Sequence, residues 1–222
     1  FIVNQIIAAI TKGFDVRIMT YKFLDNCNSS QKELFLQHQL DKKVELIDYK
    51  VAASNIVKLY NALKLNLFYI KYILKDKDLP LNSRLLILPF KIKYFKRFKN
   101  VNVFHIHFGS ASFDVIKMRK LGVIESKIIV SFHGFDAHYK DTKEYILKKK
   151  SYKDVFEFSD YITVNSNYLK KKIIELGCQE SKILIIPMGV DTNYFKIDSN
   201  EIVKNKSTIN LLSIGRLIEL KG

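Results

Sequence analysis

The sequence predicts a mixed α/β fold in which a parallel sheet is flanked by helices. Short β-branched runs alternate with longer segments of helical period, which is the pattern of repeated βαβ units. The later runs, such as KIIVSF and YITVN, are apolar almost throughout, as strands are when both faces of the sheet are covered. We therefore expect a doubly wound, Rossmann-like domain, which binds ligands beyond the carboxyl ends of its strands.

Six strands follow from this pattern. Each is a run of β-branched, aliphatic or aromatic residues bounded by polar or glycine-containing segments. The predicted strands cover residues 16–20, 44–47, 101–107, 127–132, 161–165 and 183–186.

Helices are predicted between these strands. Gly13, Gly122 and Gly177 are expected to end three of them, because glycine readily adopts the left-handed conformation found after a helix. Ser30 and Glu33 have the spacing of a capping box, and Pro89 should bend the helix that contains it. The predicted helices cover residues 1–13, 30–40, 51–75, 83–98, 111–121, 142–158 and 167–176.

The domain organisation follows from a change in composition near residue 186. We expect one Rossmann-like domain over 1–186, a polar connector over 187–207, and the first strand and turn of a second domain over 208–222. The chain begins at Phe1 and stops soon after that last strand. We therefore expect a fragment in which the first strand of the first domain is missing and the second domain is truncated.

Composition excludes several classes of protein. Lys58, Lys64 and Lys71 interrupt the most apolar segment, 51–74, so no run reaches the about 20 apolar residues that a membrane-spanning helix needs. Two cysteines, Cys27 and Cys178, are too few for a disulfide framework or a four-cysteine zinc site. These features favour a cytoplasmic protein.

The net charge of +15 has two explanations. It attracts an anionic partner, such as a phospholipid surface or a phosphorylated substrate, or it reflects the lysine-rich composition of proteins from AT-rich genomes. Only five of the 37 basic residues are arginine, and no nucleic-acid-binding motif is present. We therefore expect no nucleic-acid partner.

The segment KIKYFKRFK, 91–99, interleaves four apolar side chains with five cations. This pattern is typical of a helix that lies on an anionic bilayer, and it equally fits a helix with a solvated lysine face. The first interpretation predicts a protein held peripherally at the inner face of the plasma membrane. A basic module that only binds a membrane surface is the non-enzymatic alternative. The apolar residues are Ile92, Tyr94, Phe95 and Phe98.

The segment HIHFGSAS, 105–112, ends a buried strand. His105 and His107 lie two residues apart and so project from the same side of the sheet. Gly109 should permit a tight turn, and Ser110 or Ser112 should cap the next helix, whose N–H groups would then hold an anion.

The segment SFHGFD repeats this arrangement on the neighbouring strand, so His133 should lie beside His107. Gly134 permits a backbone conformation that other residues resist. Asp136 has three candidate roles: it orients His133, binds a substrate hydroxyl, or caps the loop. An alternative is a metallohydrolase, in which His105, His107, His133 and Asp136 hold zinc.

The segment GRLIELKG places Arg216 and Lys221 just after the last predicted strand. Two cations beside a glycine-flanked turn suit a diphosphate, which arginine grips as a fork and lysine meets as a point charge. An ordinary charged loop has the same composition.

Taken in order, six segments resemble glycosyltransferase family 4 in its retaining GT-B group, and within it bacterial exopolysaccharide and lipopolysaccharide enzymes of colanic-acid type. The resemblance covers residues 1–222, with a divergent middle over 21–100. The segments are FIVNQIIAAITKGFDVRIMT, HIHFG, SFHGFD, YITVNSNYLKKKIIELG, ILIIPMGVDTNYF and LLSIGRLIELKG.

The resemblance implies two Rossmann-like domains that transfer a hexosyl group from a nucleotide-diphosphate sugar to a glycan or lipid-linked acceptor, without a metal cofactor. Arg216 and Lys221 would contact the donor diphosphate. His133, supported by Asp136, would carry the catalytic role. The family's acidic E-x7-E motif would follow Gly222, so we expect these 222 residues alone to be inactive. The residues assigned to substrate binding are His107, Gly109, Ser110, Gly134, Arg216 and Lys221.

Overall fold

The structure is a computed structural model that describes residues 2–22, 32–51, 54–189, 192 and 211. The chain divides into two compact units, residues 1–188 and 189–222. Every helix and strand described below belongs to the first unit. The predicted strand at 208–214 and most of the predicted connector lie outside the described residues, as does Ser30 of the predicted capping box.

The six predicted strands are all present within the described residues, each slightly shorter than expected. They form two parallel sheets: β1 pairs with β2, and the second sheet has the order β3-β4-β5-β6. The predicted mixed α/β fold with parallel sheets flanked by helices is therefore confirmed. The strands are Ile18–Thr20 (β1), Val44–Leu46 (β2), Val103–His107 (β3), Lys127–Ser131 (β4), Tyr161–Val164 (β5) and Ile183–Ile185 (β6).

The helices also follow the predicted order, and three of the differences from the predicted bounds have a clear local cause. Ser54 has an extended backbone, so the helix predicted from residue 51 begins at Asn55. The predicted bend is a full interruption at Ile87, and Pro89 lies in the first turn of the next helix. The helices are Ile2–Thr11 (α1), Lys32–Gln37 (α2), Asn55–Ile73 (α3), Leu81–Leu86 (α4), Leu88–Phe95 (α5), Phe113–Leu121 (α6), Thr142–Phe158 (α7) and Asn167–Glu175 (α8).

The third difference is at the start of α6, where a 3-10 helix, Gly109–Ser112, precedes the α-helix. The predicted glycine stops are confirmed, since Gly13, Gly122 and Gly177 all have positive φ angles.

Among the described helices, none is long and apolar enough to cross a bilayer.

The core lies around the central strands of the second sheet. Ile128 and Val130 of β4 and Ile162 of β5 are completely buried. The prediction that both faces are covered is wrong in part, because Val103 of β3, Tyr161 of β5 and Leu184 of β6 are each nearly half exposed.

The apolar residues of 91–99 face this core and do not face solvent. Ile92, Tyr94, Phe95 and Phe98 are each at most 5% exposed, and Phe98 contacts Phe104 of β3 edge to face. The interpretation of these side chains as a membrane-contacting face is therefore wrong. The lysines between them remain at the surface because the apolar stripe of α5 is used for packing.

Candidate functional site

The candidate site lies at the carboxyl edge of the second sheet, where β3 and β4 end side by side. His107, the last residue of β3, pairs in register with Ser131, the last residue of β4. His133 follows two residues later, and its Nε2 lies 3.0 Å from Nδ1 of His107. The prediction that these two histidines are neighbours is confirmed.

The three histidines of the two motifs form a row. The ring centroids of His105 and His107 are 4.6 Å apart, and those of His107 and His133 are 5.3 Å apart and stacked. His105 Nε2 lies 2.8 Å from the hydroxyl of Ser131, which is 2.6 Å from the hydroxyl of Thr163 on β5. Side-chain hydrogen bonds thus connect three adjacent strands beneath the site.

The row is uncharged at neutral pH. Burial, reinforced by the neighbouring His105 and His133, lowers the pKa of His107 from 6.5 to about 4. Burial also lowers the pKa of His133, although the charge of Asp136 opposes this. In a pair of neutral imidazoles, one ring nitrogen donates and the other accepts. The site therefore offers directed hydrogen bonds, and its imidazoles are weak proton acceptors.

Asp136 connects the two loops that carry the histidines. Its Oδ1 accepts hydrogen bonds from the backbone N–H groups of His133 and Gly134, and its Oδ2 accepts one from Gly109 N–H. The side chain is buried, and the Tyr152 hydroxyl donates to the Asp136 carbonyl. Of the three candidate roles, the geometry shows the loop cap; both carboxylate oxygens are occupied by backbone donors.

The two glycines of the site are required for different reasons. Gly134 has a φ of +111°, which other residues rarely adopt, so the predicted role of this glycine is confirmed. Gly109 has no such angle. A Cβ at Gly109 would lie 2.5 Å from the ring of Phe132 and 2.9 Å from that of Tyr152, so close packing and not a tight turn requires glycine there.

The predicted serine caps of α6 do not form. Ser112 makes no capping hydrogen bond; its hydroxyl is buried and donates instead to the carbonyl of Gly109, 2.6 Å away. Ser110 lies exposed in the 3-10 helix. The Gly109 N–H is already bound to Asp136. The serine caps are therefore not formed as predicted, because the 3-10 turn redirects the Ser112 hydroxyl, whereas the anion site at this helix start stays a prediction.

Exposed aromatic rings border the histidine row, and sequence reasoning missed them. The ring of Phe108 packs against His133 with a centroid distance of 4.8 Å, although its φ of +73° is unusual for phenylalanine. Phe135, in the loop after β4, is 82% exposed. Both follow strand ends, which was the available signal. Phe108 provides apolar surface beside the His133 imidazole, and Phe135 adds exposed apolar surface in the loop that follows His133.

A second polar cluster lies around Asp114, in the first turn of α6, and was also missed. The hydroxyls of Tyr21 and Tyr49 donate to its Oδ2, and Lys91 forms an ion pair with its Oδ1. Burial and the hydrogen bond to Asp114 raise the pKa of Tyr49 above its ordinary value. Tyr21 and Tyr49 follow the ends of β1 and β2, so their positions in the sequence carried a signal.

The remaining predictions have different outcomes. Arg216 and Lys221 lie outside the described residues. His105, His107, His133 and Asp136 are all described, and the described part of the chain contains no group of three or more histidine, cysteine, aspartate or glutamate residues that could hold a metal ion. The metallohydrolase alternative therefore has no geometric support.

We expect Asp136→Ala to lower the free energy of unfolding by at least about 2 kcal/mol, because three backbone N–H groups lose their acceptor near the core. Urea titration followed by circular dichroism measures this change. Glu125→Ala removes an exposed carboxylate and should stay within about 0.5 kcal/mol of the wild type. Equal effects of the two changes would contradict the role assigned to Asp136.

Stability should also fall as the pH drops from about 6.5 towards 4. The folded-state pKa of His107 lies below its unfolded value, so the unfolded chain binds more protons in this window and is favoured by acid. Urea titrations at pH 7 and pH 5 measure the loss, and His107→Gln should reduce it. An identical pH dependence in the variant would show that His107 is not its source.

Comparison with known proteins places this sequence in a family. The sequence model of Glycosyltransferase Family 4 matches residues 70–194, which include the histidine row and both loops. The full chain is 27% identical to a colanic acid biosynthesis glycosyltransferase, WcaL, of Escherichia coli K12, and 26% identical to the amylovoran biosynthesis glycosyltransferase AmsK of Erwinia amylovora. Each alignment covers 100% of this chain and 54% of the relative, so the chain spans about half the length of these curated relatives.

No solved structure matches significantly. The chain belongs to glycosyltransferase family 4.

Proposed function

We propose that this chain is the acceptor-side half of a retaining glycosyltransferase. The whole protein would move a sugar from a nucleotide-diphosphate donor to a glycan or lipid-linked acceptor in cell-surface polysaccharide biosynthesis. The observation that supports this most directly is the hydrogen-bonded pair of His107 and His133 at the carboxyl edge of the sheet, held by loops that Asp136 joins. The relatives named for colanic acid and amylovoran biosynthesis support the choice of pathway class.

The reaction breaks the bond between the anomeric carbon and the diphosphate oxygen and forms a bond from that carbon to the acceptor hydroxyl oxygen on the same face. Negative charge develops on the leaving phosphate and positive charge at the anomeric carbon. The acceptor proton passes to the departing phosphate oxygen. No protein nucleophile is needed, and the protein contributes by positioning and by stabilising charge.

The described residues supply positioning on the acceptor side. A neutral His133 donates one hydrogen bond from Nδ1 to the donor sugar or its phosphate, and its unprotonated Nε2 accepts a hydrogen bond from Nδ1–H of His107, which holds the ring in place. A weakly basic imidazole suits this role better than that of general base. The rings of Phe108 and Phe135 offer apolar surface to a sugar face or a lipid.

The donor diphosphate is assigned to Arg216 and Lys221 by their place in the family pattern. Both residue types carry cationic side chains, and they would neutralise the leaving group without a metal ion. We place the protein in the cytoplasm, where nucleotide sugars are made and used. Because the chain spans about half the length of its relatives, we propose that residues 1–222 alone do not transfer sugar.

We expect His133→Ala in the full-length protein to lower kcat/KM by about 100-fold or more, because one hydrogen bond aimed at developing charge is lost. Release of the nucleoside diphosphate from a panel of nucleotide sugars, in the presence of a lipid-linked glycan acceptor, measures the change. His133→Gln keeps an N–H donor and should recover part of the activity.

The matched control for this experiment is His38→Ala, which removes an exposed histidine from a distant segment. Circular dichroism of each variant separates loss of activity from loss of folding. Turnover by a folded His133→Ala protein within about threefold of the wild type would exclude the proposed role.

A further inference from the structure

Helix α3 carries a line of exposed apolar side chains along its outer side. Ile56, Tyr60, Leu63 and Leu67 are between 59% and 82% exposed. Their spacing of four, three and four residues places them on one face of the helix. The line continues past the non-helical backbone at Tyr69 in two more exposed residues, Ile70 and Leu74.

This line is not the packing face of the helix. Ala62 and Ile73 are buried on a different side, and α3 packs there against α4 and α5. A helix on the surface of a globular protein normally places polar residues outward. Eighteen residues of helix are about 27 Å long, so the apolar line from Ile56 to Leu74 is far more extended than a single exposed leucine.

Cations accompany the apolar line, and anions do not. Lys64, Lys71 and Lys75 are exposed along one flank of it, and residues 49–75 contain no aspartate or glutamate. Within the described ranges, none of these three lysines forms an ion pair; Lys71 lies over the ring of Tyr72 instead. Their positive charge is therefore available to an external partner.

We propose that this α3 face binds the surface of an anionic phospholipid bilayer. The apolar line enters the boundary between headgroups and acyl chains, and the flanking lysines meet the lipid phosphates. A second copy of the chain is a poorer partner, because pairing two such faces brings lysines together without a carboxylate to neutralise them. The membrane-binding surface of the protein is therefore on α3 and not on the segment 91–99.

This binding mode keeps the bilayer near the Asp114 cluster. Tyr49, which contacts Asp114 near the carboxyl edge of the sheet, precedes the start of α3 by six residues, at most about 20 Å of extended chain. The first turn of the bilayer-binding helix therefore lies within that distance of Tyr49. The inference itself is independent of sugar transfer, because lipid binding is measured without a donor or an acceptor.

The test is vesicle co-sedimentation of the full-length protein. One set of vesicles contains phosphatidylcholine alone, and a second contains phosphatidylcholine mixed with phosphatidylglycerol. The wild type should bind the mixed vesicles at least about tenfold more tightly, and added salt should weaken this binding. The double variants Leu63→Ser/Leu67→Ser and Lys64→Gln/Lys75→Gln should each lower the affinity for mixed vesicles at least about tenfold.

Matched controls come from α7, which has exposed apolar residues and exposed lysines. Ile146→Ser/Leu147→Ser removes two comparably exposed apolar side chains, and Lys150→Gln/Lys153→Gln removes two exposed lysines. Both should bind as the wild type does. The α3 variants should also keep wild-type turnover with a water-soluble acceptor, which separates this inference from the proposed function.

Three outcomes would overturn the proposal. The first is equal binding of the wild type to both kinds of vesicle, or no binding to either. The second is undiminished binding by the α3 variants, or an equal loss in the α7 controls. The third is a wild-type dimer that Leu63→Ser/Leu67→Ser converts to a monomer, which would assign the α3 face to a second copy of the chain.

Discussion

The candidate site depends on one buried carboxylate. Asp136 accepts hydrogen bonds from Gly109 N–H on one loop and from His133 and Gly134 N–H on the other. The two loops follow different strands, and the parallel register of those strands alone brings only their ends together. Within each loop, these backbone donors would otherwise be buried near the core without an acceptor. The carboxylate satisfies all three at once and thereby holds the spacing between the two histidines.

Packing around that carboxylate explains the glycines. Gly109 lies against the rings of Phe132 and Tyr152, and any side chain there would displace one of them. Tyr152 in turn donates its hydroxyl to the Asp136 carbonyl, so α7 supports the same loop. A site built on strand ends and supported by a long helix keeps its groups in place before substrate arrives, which is what the proposed reaction, governed by positioning, requires.

Charge and apolar surface are distributed unequally over the chain. The histidine row is neutral because burial lowers the pKa of His107 and of His133, and because positive charge on His105 or His133 would lower the pKa of His107 further. Exposed lysines of α3 lie at the surface beside apolar residues that do not pack in the core. The aromatic residues of 91–99 pack in the core instead. Neighbouring helices of similar composition therefore have opposite uses, one for internal packing and the other for an external surface.

Local sequence determined the element order and the proximity of the histidines. The alternation of β-branched runs with helical segments depends on interactions between near neighbours in the chain, and so do the glycines with positive φ. Parallel pairing then places the ends of β3 and β4 at one edge of the sheet. Tertiary structure decided which side of each helix faces the core and which groups meet between loops. Which side of α3 or of 91–99 faces the core depends on helices distant in sequence, because both segments are apolar on more than one side. The hydrogen bonds of Asp136 to the backbone of two loops, and the convergence of Tyr21 and Tyr49 on Asp114, likewise require contacts between loops that no local pattern encodes.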